Sequence, residues 1–261
     1  IGIGAVVAMV SLGQGATASV QAEIASLGTN VLIIVPGATT VGGVRGGLGS
    51  ISTLTVDDAE DIRTKVGSVM TVIYGSRSVL QVIHENKNWS TVVVGTTPEF
   101  PDIRSWPIAQ GNFFTQSDMD SAAKVVVLGK TAAQNLFEPG EEMVGAEIRI
   151  RNTPLRVIGI LAPKGQSISG QDQDDLVVLP FSTAERKVLG TKFLGTVGII
   201  LVATQTRYEI PAVVADIKEL LRARHHLPAQ EEDDFTIRTM EDIANTIAGT
   251  SRTMMLMLMS I

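Results

Sequence analysis

Val31-Leu-Ile-Ile-Val-Pro-Gly37 decides how the rest of this chain is read. Five aliphatic residues halted by Pro-Gly spell a short buried strand. The segment before it has a helical period. Ala16, Val20, Ile24 and Leu27 recur at helix spacing, with Gln21 and Glu23 between them, and Gly28 stands where a left-handed C-cap ends a helix. Gly13 and Gly15 each cost such a helix about 1 kcal/mol relative to Ala, and mark a membrane exit or a close helix contact. Beyond the strand, Gly37 to Ser52 is rich in Gly, Thr and Ser, with Arg45 as its one charge, and reads as a mobile loop. Thr55 with Asp58 is a capping-box signal opening a helix over Val56 to Val66. Two strands follow, Val69 to Ile83 and Trp89 to Thr97, joined by the turn-prone His84-Glu-Asn-Lys-Asn88.

The same rhythm resumes after Gly195. Val197 to Ala203 is an apolar strand, and Ile210 to Arg224 is a helix with Val213, Val214, Ile217, Leu220 and Leu221 on one side. Phe235 to Arg238 is a short strand, and Thr239 with Asp242 caps a final helix running through Ile243 and Ile247. The outer pieces thus give β-α-β-β and then β-α-β. The fold class is α+β: a ferredoxin-type split β-α-β unit over 29–97 and 195–239. The mostly-β insert, 98–194, has a different texture. It opens on Pro98, Pro101 and Pro107, continues with a Gly-Asn-Phe-Phe turn at 111–114 and a strand at Lys124 to Leu128, and has a helix over Lys130 to Phe137. Ala146 to Arg151 and Leu155 to Leu161 flank Asn152-Thr153-Pro154 as a hairpin. Pro163 to Gln173 is a polar loop, Leu176 to Leu179 is a strand stopped by Pro180, and Ser182 with Glu185 caps a short helix.

Both ends are apolar: Ile1-Gly-Ile-Gly-Ala-Val-Val-Ala-Met-Val10 and Thr253-Met-Met-Leu-Met-Leu-Met-Ser-Ile261. A helix needs about 20 apolar residues to span a bilayer, so each end reads as half of a crossing helix. Residues 1–28 are then the end of one membrane helix and its stalk, and 240–261 are a second stalk running into the next. Ala16, Val20, Ile24, Ile243 and Ile247 are the candidate coupling positions. No charged n-region precedes the first apolar run and no small-residue cleavage site follows it, which favours an anchor over a signal peptide. At 261 residues, 44% hydrophobic and 18% charged, the body is a folded one. A net charge of −6 lacks the basic surplus of a nucleic-acid binder, and 4% aromatic residues disfavour base-stacking or sugar-stacking platforms. No cysteine is present, so disulfides and thiolate metal sites are excluded.

Four stretches resemble the extracytoplasmic (periplasmic core) domain of MacB/FtsX-type ABC transporter permeases: Ser26-Leu-Gly-Thr-Asn-Val-Leu-Ile-Ile-Val-Pro-Gly37, Gly111-Asn-Phe-Phe-Thr-Gln-Ser-Asp118, Val125-Val-Val-Leu-Gly129 with Ala132 to Phe137, and Val157-Ile-Gly-Ile-Leu161 with Lys164-Gly165, Gln171-Asp-Gln-Asp-Asp175 and Pro180. Their order and spacing cover nearly the whole chain. The resemblance implies a bacterial inner-membrane protein whose large extracytoplasmic loop carries a porter-like and an inserted sabre-like subdomain. It implies a homodimer or related heterodimer, an ABC ATPase domain or subunit in the cytoplasm, and, in Gram-negative bacteria, a periplasmic adaptor and an outer-membrane channel. Stalk movement would couple ATP hydrolysis to export or release of a substrate. The FtsX-like branch offers the alternative of recruiting and activating a peptidoglycan hydrolase. Lys164, Gly165, Gln171, Asp172, Asp174 and Asp175 become partner-contact candidates.

The chemical motifs fall short of catalysis or cofactor binding. Gly129-Lys130-Thr131 follows a strand as a phosphate loop does, but Lys124 occupies the position of the required first Gly. Gly2-Ile-Gly4 lacks the preceding strand of a dinucleotide fingerprint. The cluster Asp172, Asp174, Asp175 and the run Glu231 to Asp234 lack calcium-loop spacing and read as solvated turns. His225-His226 is adjacent rather than at i, i+4, and suits the C-terminal dipole of a helix beside Arg222 and Arg224. His84 stands alone in a turn. The Met-rich end is adaptable apolar filler. The expectation is a non-enzymatic domain with no cofactor and no metal.

Overall fold

The computed structural model describes residues 30–37, 40–41, 44–45, 53–167, 170–190, 194–243 and 245–246. Ala16, Val20, Ile24 and Ile247, with both apolar ends, lie outside the described residues. Among the described residues no helix is long and apolar enough to cross a membrane.

A ten-stranded sheet runs through the molecule. β1 (Val31–Pro36) is followed by a small hairpin, β2 (Thr40–Val41) and β3 (Val44–Arg45), then by α1 (Val56–Lys65) and the 16-residue strand β4 (Val69–His84). β4 turns back into β5 (Lys87–Thr96). Next come α2 (Phe100–Ile103), β6 (Ile108–Gly111), α3 (Gln116–Asp120), β7 (Val125–Leu128) and α4 (Lys130–Leu136). β8 (Glu147–Ile150) and β9 (Thr153–Leu161) form a hairpin. β10 (Leu176–Pro180) leads into the single turn α5 (Phe181–Thr183) and a π-helical turn, Ala184–Leu189. The chain closes with β11 (Ile199–Thr204), α6 (Ile210–Arg224) and β12 (Phe235–Thr239).

Four strands make the inner unit, in the order β12-β1-β11-β4, each pair antiparallel. Numbered by succession along the chain, this is the 4-1-3-2 order of a ferredoxin-like split β-α-β unit, as the two outer sequence blocks lead one to expect. α1 and α6 roof one face. Leu32, Ile34, Val72, Ile200 and Val202 of the sheet meet Ala59, Ile62, Val213, Ile217 and Leu221 of the helices in one buried cluster. The two helices begin differently. Thr55 and Asp58 form the expected reciprocal capping box, with both Thr55 N and Oγ1 donating to Asp58 Oδ2 at 2.8 Å. α6 instead has Pro211 in its first turn, where a missing N–H costs nothing.

The second unit begins where β4 passes Gly75. Strand pairing here returns to its starting point. The far half of β4 pairs with β5, β5 runs parallel to β10, β10 pairs with β7, and β7 runs parallel to β9; β9 pairs with β8, and β8 pairs back onto β4. The result is a closed ring of strands, a small barrel. Alternation along each strand sends one set of side chains inward, and Val82, Val93, Val177, Leu128, Val157, Ile148 and Ile150 fill the interior with Ala132, Ala133 and Leu136 of α4. A third cluster packs Phe100, Trp106 and Phe114 on the outside of this ring and continues to Ile73, Leu201 and Ala203 of the inner sheet.

Some local expectations shift. The β4–β5 turn narrows to Glu85-Asn86, so His84 belongs to the strand. The β8–β9 turn is Arg151-Asn152, with Arg151 in the left-handed region (φ 53), and Thr153 and Pro154 pair within β9. Ser182 does not cap a helix: its hydroxyl donates to the Met119 carbonyl, and Glu185 accepts from Gly195 N. The tertiary partners win over the local ones because both groups are drawn to neighbours outside their own turn.

Candidate functional site

The chain joins and leaves the inner sheet at one end. Val31 pairs with Ala203, and Leu32 pairs with Thr239, so the segment before Asn30 and the segment after Thr239 are rooted on the neighbouring strands β1 and β12. Both roots are tied down. Thr204 N donates to the Asn30 carbonyl at 2.9 Å, and Asn30 Nδ2 donates to the Gln205 carbonyl at 3.2 Å. Thr239 and Asp242 form the expected reciprocal cap, with Thr239 Oγ1 donating to Asp242 Oδ2 at 2.7 Å and Asp242 N donating to Thr239 Oγ1 at 3.0 Å. Met240 is buried and Ile243, a predicted coupling position, packs against the third cluster. The exit segment is therefore docked onto the sheet at its first turn.

The six partner-contact candidates share one loop between β9 and β10, and the structure gives them unequal roles. Asp174 is buried and accepts from Lys164 N at 2.7 Å and from Gly165 N at 3.0 Å. Asp172 accepts from Thr131 Oγ1 at 2.7 Å and from Asp174 N at 2.9 Å. Asp175 accepts from the Trp89 indole at 2.8 Å. Lys164 Nζ donates to the Arg104 carbonyl at 2.8 Å and lies 5.3 Å from the centre of the Trp106 ring. Gly165, Gln171 and Asp172 are exposed. The aspartates thus latch the loop to β5 and the start of α4, and the exposed residues form its outer rim. Next to the loop, an open groove of about 370 Å³ is lined by Ile73, Val94, Leu201, Trp106, Arg77 and Asp175.

The same latch disposes of the phosphate-loop resemblance. Thr131 N donates to the Asp174 carbonyl at 3.2 Å. A Cβ on Gly129 would lie 2.2 Å from that oxygen. The turn after β7 is filled by an acidic loop, where a phosphate would meet carboxylates in place of free N–H donors. Among the described residues no group of His, Asp and Glu has the geometry to hold a metal ion.

Two charged sites escaped the sequence reading. In the inner unit Asp58, almost fully buried, faces α6: Arg224 Nε donates to Asp58 Oδ1 at 2.6 Å, and His225 Nε2 lies 3.3 Å from Asp58 Oδ2. His225 Nδ1 lies 2.8 Å from Asp234 Oδ1, and Lys218 and Arg222 both pair with Asp233. The acidic run is thus partly folded inward, since Asp233 and Asp234 brace α6. Burial alone would raise the Asp58 carboxyl, but hydrogen bonds from His225, Arg224 and Thr55 outweigh it and hold the group well below the usual carboxylate range. The bond to Asp58, opposed by burial and helped by Asp234, pushes His225 up to about 8. In the outer ring His84 is buried, not solvated in a turn. Its Nδ1 lies 2.8 Å from the Glu147 carbonyl and its Nε2 lies 2.8 Å from Glu141 Oε1. The available signal was parity: His84 follows Leu80 and Val82 on the inward face of β4.

Comparison with known proteins agrees with this architecture. Residues 1–220 match the family described as the MacB-like periplasmic core domain. The macrolide export ATP-binding/permease protein MacB of Syntrophobacter fumaroxidans is 33% identical, with 100% of this chain aligned to 44% of that protein. Its counterpart in Rhodospirillum rubrum is 35% identical over 99% of this chain and 38% of its own length. The chain therefore spans about two fifths of the curated relatives it matches. The crystal structure of the periplasmic region of MacB from Actinobacillus actinomycetemcomitans superposes with a TM-score of 0.70 at 25% identity, covering 87% of this chain and 97% of that one. The extracellular domain of the noncanonic ABC-type transporter YknZ from Gram-positive bacteria shares the fold, with a TM-score of 0.65 at 16% identity over 80% of this chain and 100% of that one. With its split β-α-β sheet, its closed ring of strands and this match along most of its length, the chain belongs to the MacB-like periplasmic core domain family.

Proposed function

We propose that this domain is the non-catalytic, force-receiving part of an ABC-type export system in a bacterial inner membrane, with its body on the periplasmic side. One observation carries the reading: the two flanking segments are rooted side by side on β1 and β12. A displacement delivered through both segments acts on the centre and edge of the same sheet, and β4 extends that sheet into the outer ring. Residues 1–28 and 240–261 serve as the stalks and the coupling residues Ala16, Val20, Ile24, Ile243 and Ile247 lie on them. The ATP-binding function in the relatives' names supplies the motor, as a fused domain or a separate subunit.

In this reading two copies work together, as a homodimer or a related heterodimer. The exposed rim of the Lys164–Asp175 loop, at Gly165, Gln171 and Asp172, meets a periplasmic adaptor that leads to an outer-membrane channel. Residues 29–97 with 195–239 act as the porter-like subdomain and 98–194 as the sabre-like insert, which closes the ring of strands together with β5 and the far half of β4. A continuous helix transmits a shift at its base to its top because each residue adds a fixed 1.5 Å rise. Inserting two glycines between Ala16 and Val20 of the full-length transporter breaks that lever. ATP hydrolysis is expected to continue while export stops, with the domain still folded. Normal export by this variant overturns the proposal. Co-purification identifies the partner: an adaptor supports export, and a peptidoglycan hydrolase supports the FtsX-like alternative.

A further inference from the structure

We infer that protonation of His84 decides whether the outer ring of strands is closed, so that the barrel seam between β4 and β8 is a pH-sensitive joint. The seam is short. β8 meets β4 through only two residue pairs, Val82↔Ile150 and Ile83↔Arg149. The other two-pair junction of the ring, between β7 and β10, is prolonged by backbone bonds from Gly129 N to the Leu176 carbonyl and from Thr131 N to the Asp174 carbonyl. Past Ile83, the β4–β8 junction is prolonged by a side chain: the His84 ring reaches the Glu147 carbonyl, on the first residue of β8.

The chemistry of the two contacts fixes the protonation state. A backbone carbonyl can only accept, so Nδ1 must carry a proton. An ionised carboxylate can only accept, so Nε2 must carry one as well. Glu141 is held ionised by the bond its Oε2 accepts from Glu138 N at 2.7 Å and by His84 itself. The ring is thus an imidazolium, lying against Phe137 with centroids 4.1 Å apart and the planes tilted by 30°. Burial works against that charge, but the bonds to Glu141 and Glu147 outweigh it and raise the His84 pKa above its ordinary value. Other charges face the site. Glu85 lies in the adjoining turn and favours the cation, Arg149 and the Glu147 carboxylate line the cavity on the β8 side, and Lys87 pairs with Glu138 at 2.8 Å beside Phe137.

Removing one proton leaves a lone pair aimed at an acceptor. One tautomer loses the Glu147 carbonyl and with it the end of the seam. The other loses Glu141, the side-chain tie between the end of β4 and the stretch leading into β8, while Gly145 and Ala146 stay bonded to Val157. Either loss loosens β8 from β4 and opens the side of the barrel where Val82, Ile148 and Ile150 lie. The sign follows from the raised pKa: closure is complete below the ordinary histidine value and is lost as pH rises through the higher folded one.

Hydrogen exchange on the full-length transporter tests this, read as protection factors for amides 147–150 after correction for the intrinsic pH dependence of exchange. Protection is expected to fall about tenfold between pH 6 and pH 9, the size of one lost charge-assisted bond. His84→Gln is expected to leave protection low and independent of pH. Glu141→Gln keeps an acceptor but removes its charge, and is expected to lower the midpoint by about one pH unit. His225→Gln is expected to leave the midpoint at 147–150 where it is. A flat profile in the unaltered protein, an unchanged midpoint in Glu141→Gln, or a midpoint that follows His225→Gln each overturns the inference. If His84→Gln does not fold, the unaltered profile and Glu141→Gln still decide the matter.

Discussion

The inner sheet and the outer ring share a strand but are held together in opposite ways. The inner sheet is open: four strands with a helical roof, whose helices are tied by a charged network reaching from Asp58 to Arg224 and His225 across 166 residues of sequence. The ring is closed on itself, its interior apolar, with the His84–Glu141 pair at one seam. An open sheet with a polar brace can change its helix packing through small shifts in ion pairs. A closed ring resists bending because every strand has two neighbours. The contrast suits a device in which the inner unit receives movement and the ring carries it as one body. β4 links them, and the linkage passes through Gly75.

The largest expected effect falls on the inner brace. Asp58 both caps α1 and partners Arg224 and His225 at the end of α6, so Asp58→Ala removes a cap and takes one carboxylate from each cation, leaving Arg224 with Asp61 and His225 with Asp234. Losing the cap, about 1 kcal/mol, together with the charge-assisted bonds to a buried carboxylate, about 1.5–3 kcal/mol, makes this the costliest of the changes. Unfolding of the full chain in urea checks this. The domain is expected to lose about 3 kcal/mol of stability, and a change below about 1 kcal/mol would mean that the roof is held by its apolar contacts alone.

Next comes the joint. Gly75 pairs with Thr96, and a Cβ at Gly75 would stand 2.4 Å from the Gly95 carbonyl oxygen, a backbone atom that cannot step aside. Gly75→Val is expected to destabilise by about 2–3 kcal/mol through overpacking. Its mark is locality: amides of β5 near Thr96 lose protection while α1 and α6 keep theirs. Equal loss in both units would mean that the joint is not a separate element.

A smaller effect is expected at the latch. Asp174→Ala leaves Lys164 N and Gly165 N without their acceptor in a partly buried setting. The cost is about 1–3 kcal/mol for the loop, read as faster proteolysis between Ala162 and Asp175, with the ring amides unchanged.

What the sequence made legible follows the range of the forces involved. The inner unit is written in local patterns: the apolar run at Val31, the period of Val213, Ile217 and Leu221, and the Thr-x-x-Asp boxes at Thr55 and Thr239. Each of these acts within a few residues. Ser182-x-x-Glu185 has an equally good spelling and fails, because Met119 and Gly195 compete for its side chains from 63 and 10 residues away. Ring closure by β8, the inward turn of Asp233 and Asp234, and the double clamp on His84 depend on which strands become neighbours, and nothing local encodes that. The aspartates of the Lys164–Asp175 loop were legible as a cluster, but their use as a latch depends on Thr131 and Trp89, 41 and 86 residues away.

The smallest effect sharpens the contrast most. Both units contain a histidine whose two ring nitrogens meet acceptors, but His225 sits between two carboxylates and His84 between a carboxylate and a backbone carbonyl. His225 has its pKa raised from 6.5 to about 8, so its contribution is complete below pH 6.5 and is lost as pH rises through about 8. Asp58 works in the other direction: its pKa is lowered, so its contribution is complete above its ordinary value of 3.8 and is lost only in stronger acid. The inner brace is therefore expected to be at full strength between about pH 4 and pH 6.5, and to weaken on the alkaline side by on the order of 1 kcal/mol. Protection of the α6 amides across that range checks it, and His225→Gln should flatten the alkaline limb without altering amides 147–150. If the two histidines prove interchangeable in this test, with either variant flattening both units, then the open sheet and the closed ring respond to pH as one cooperative body, and the division at Gly75 is one of topology alone.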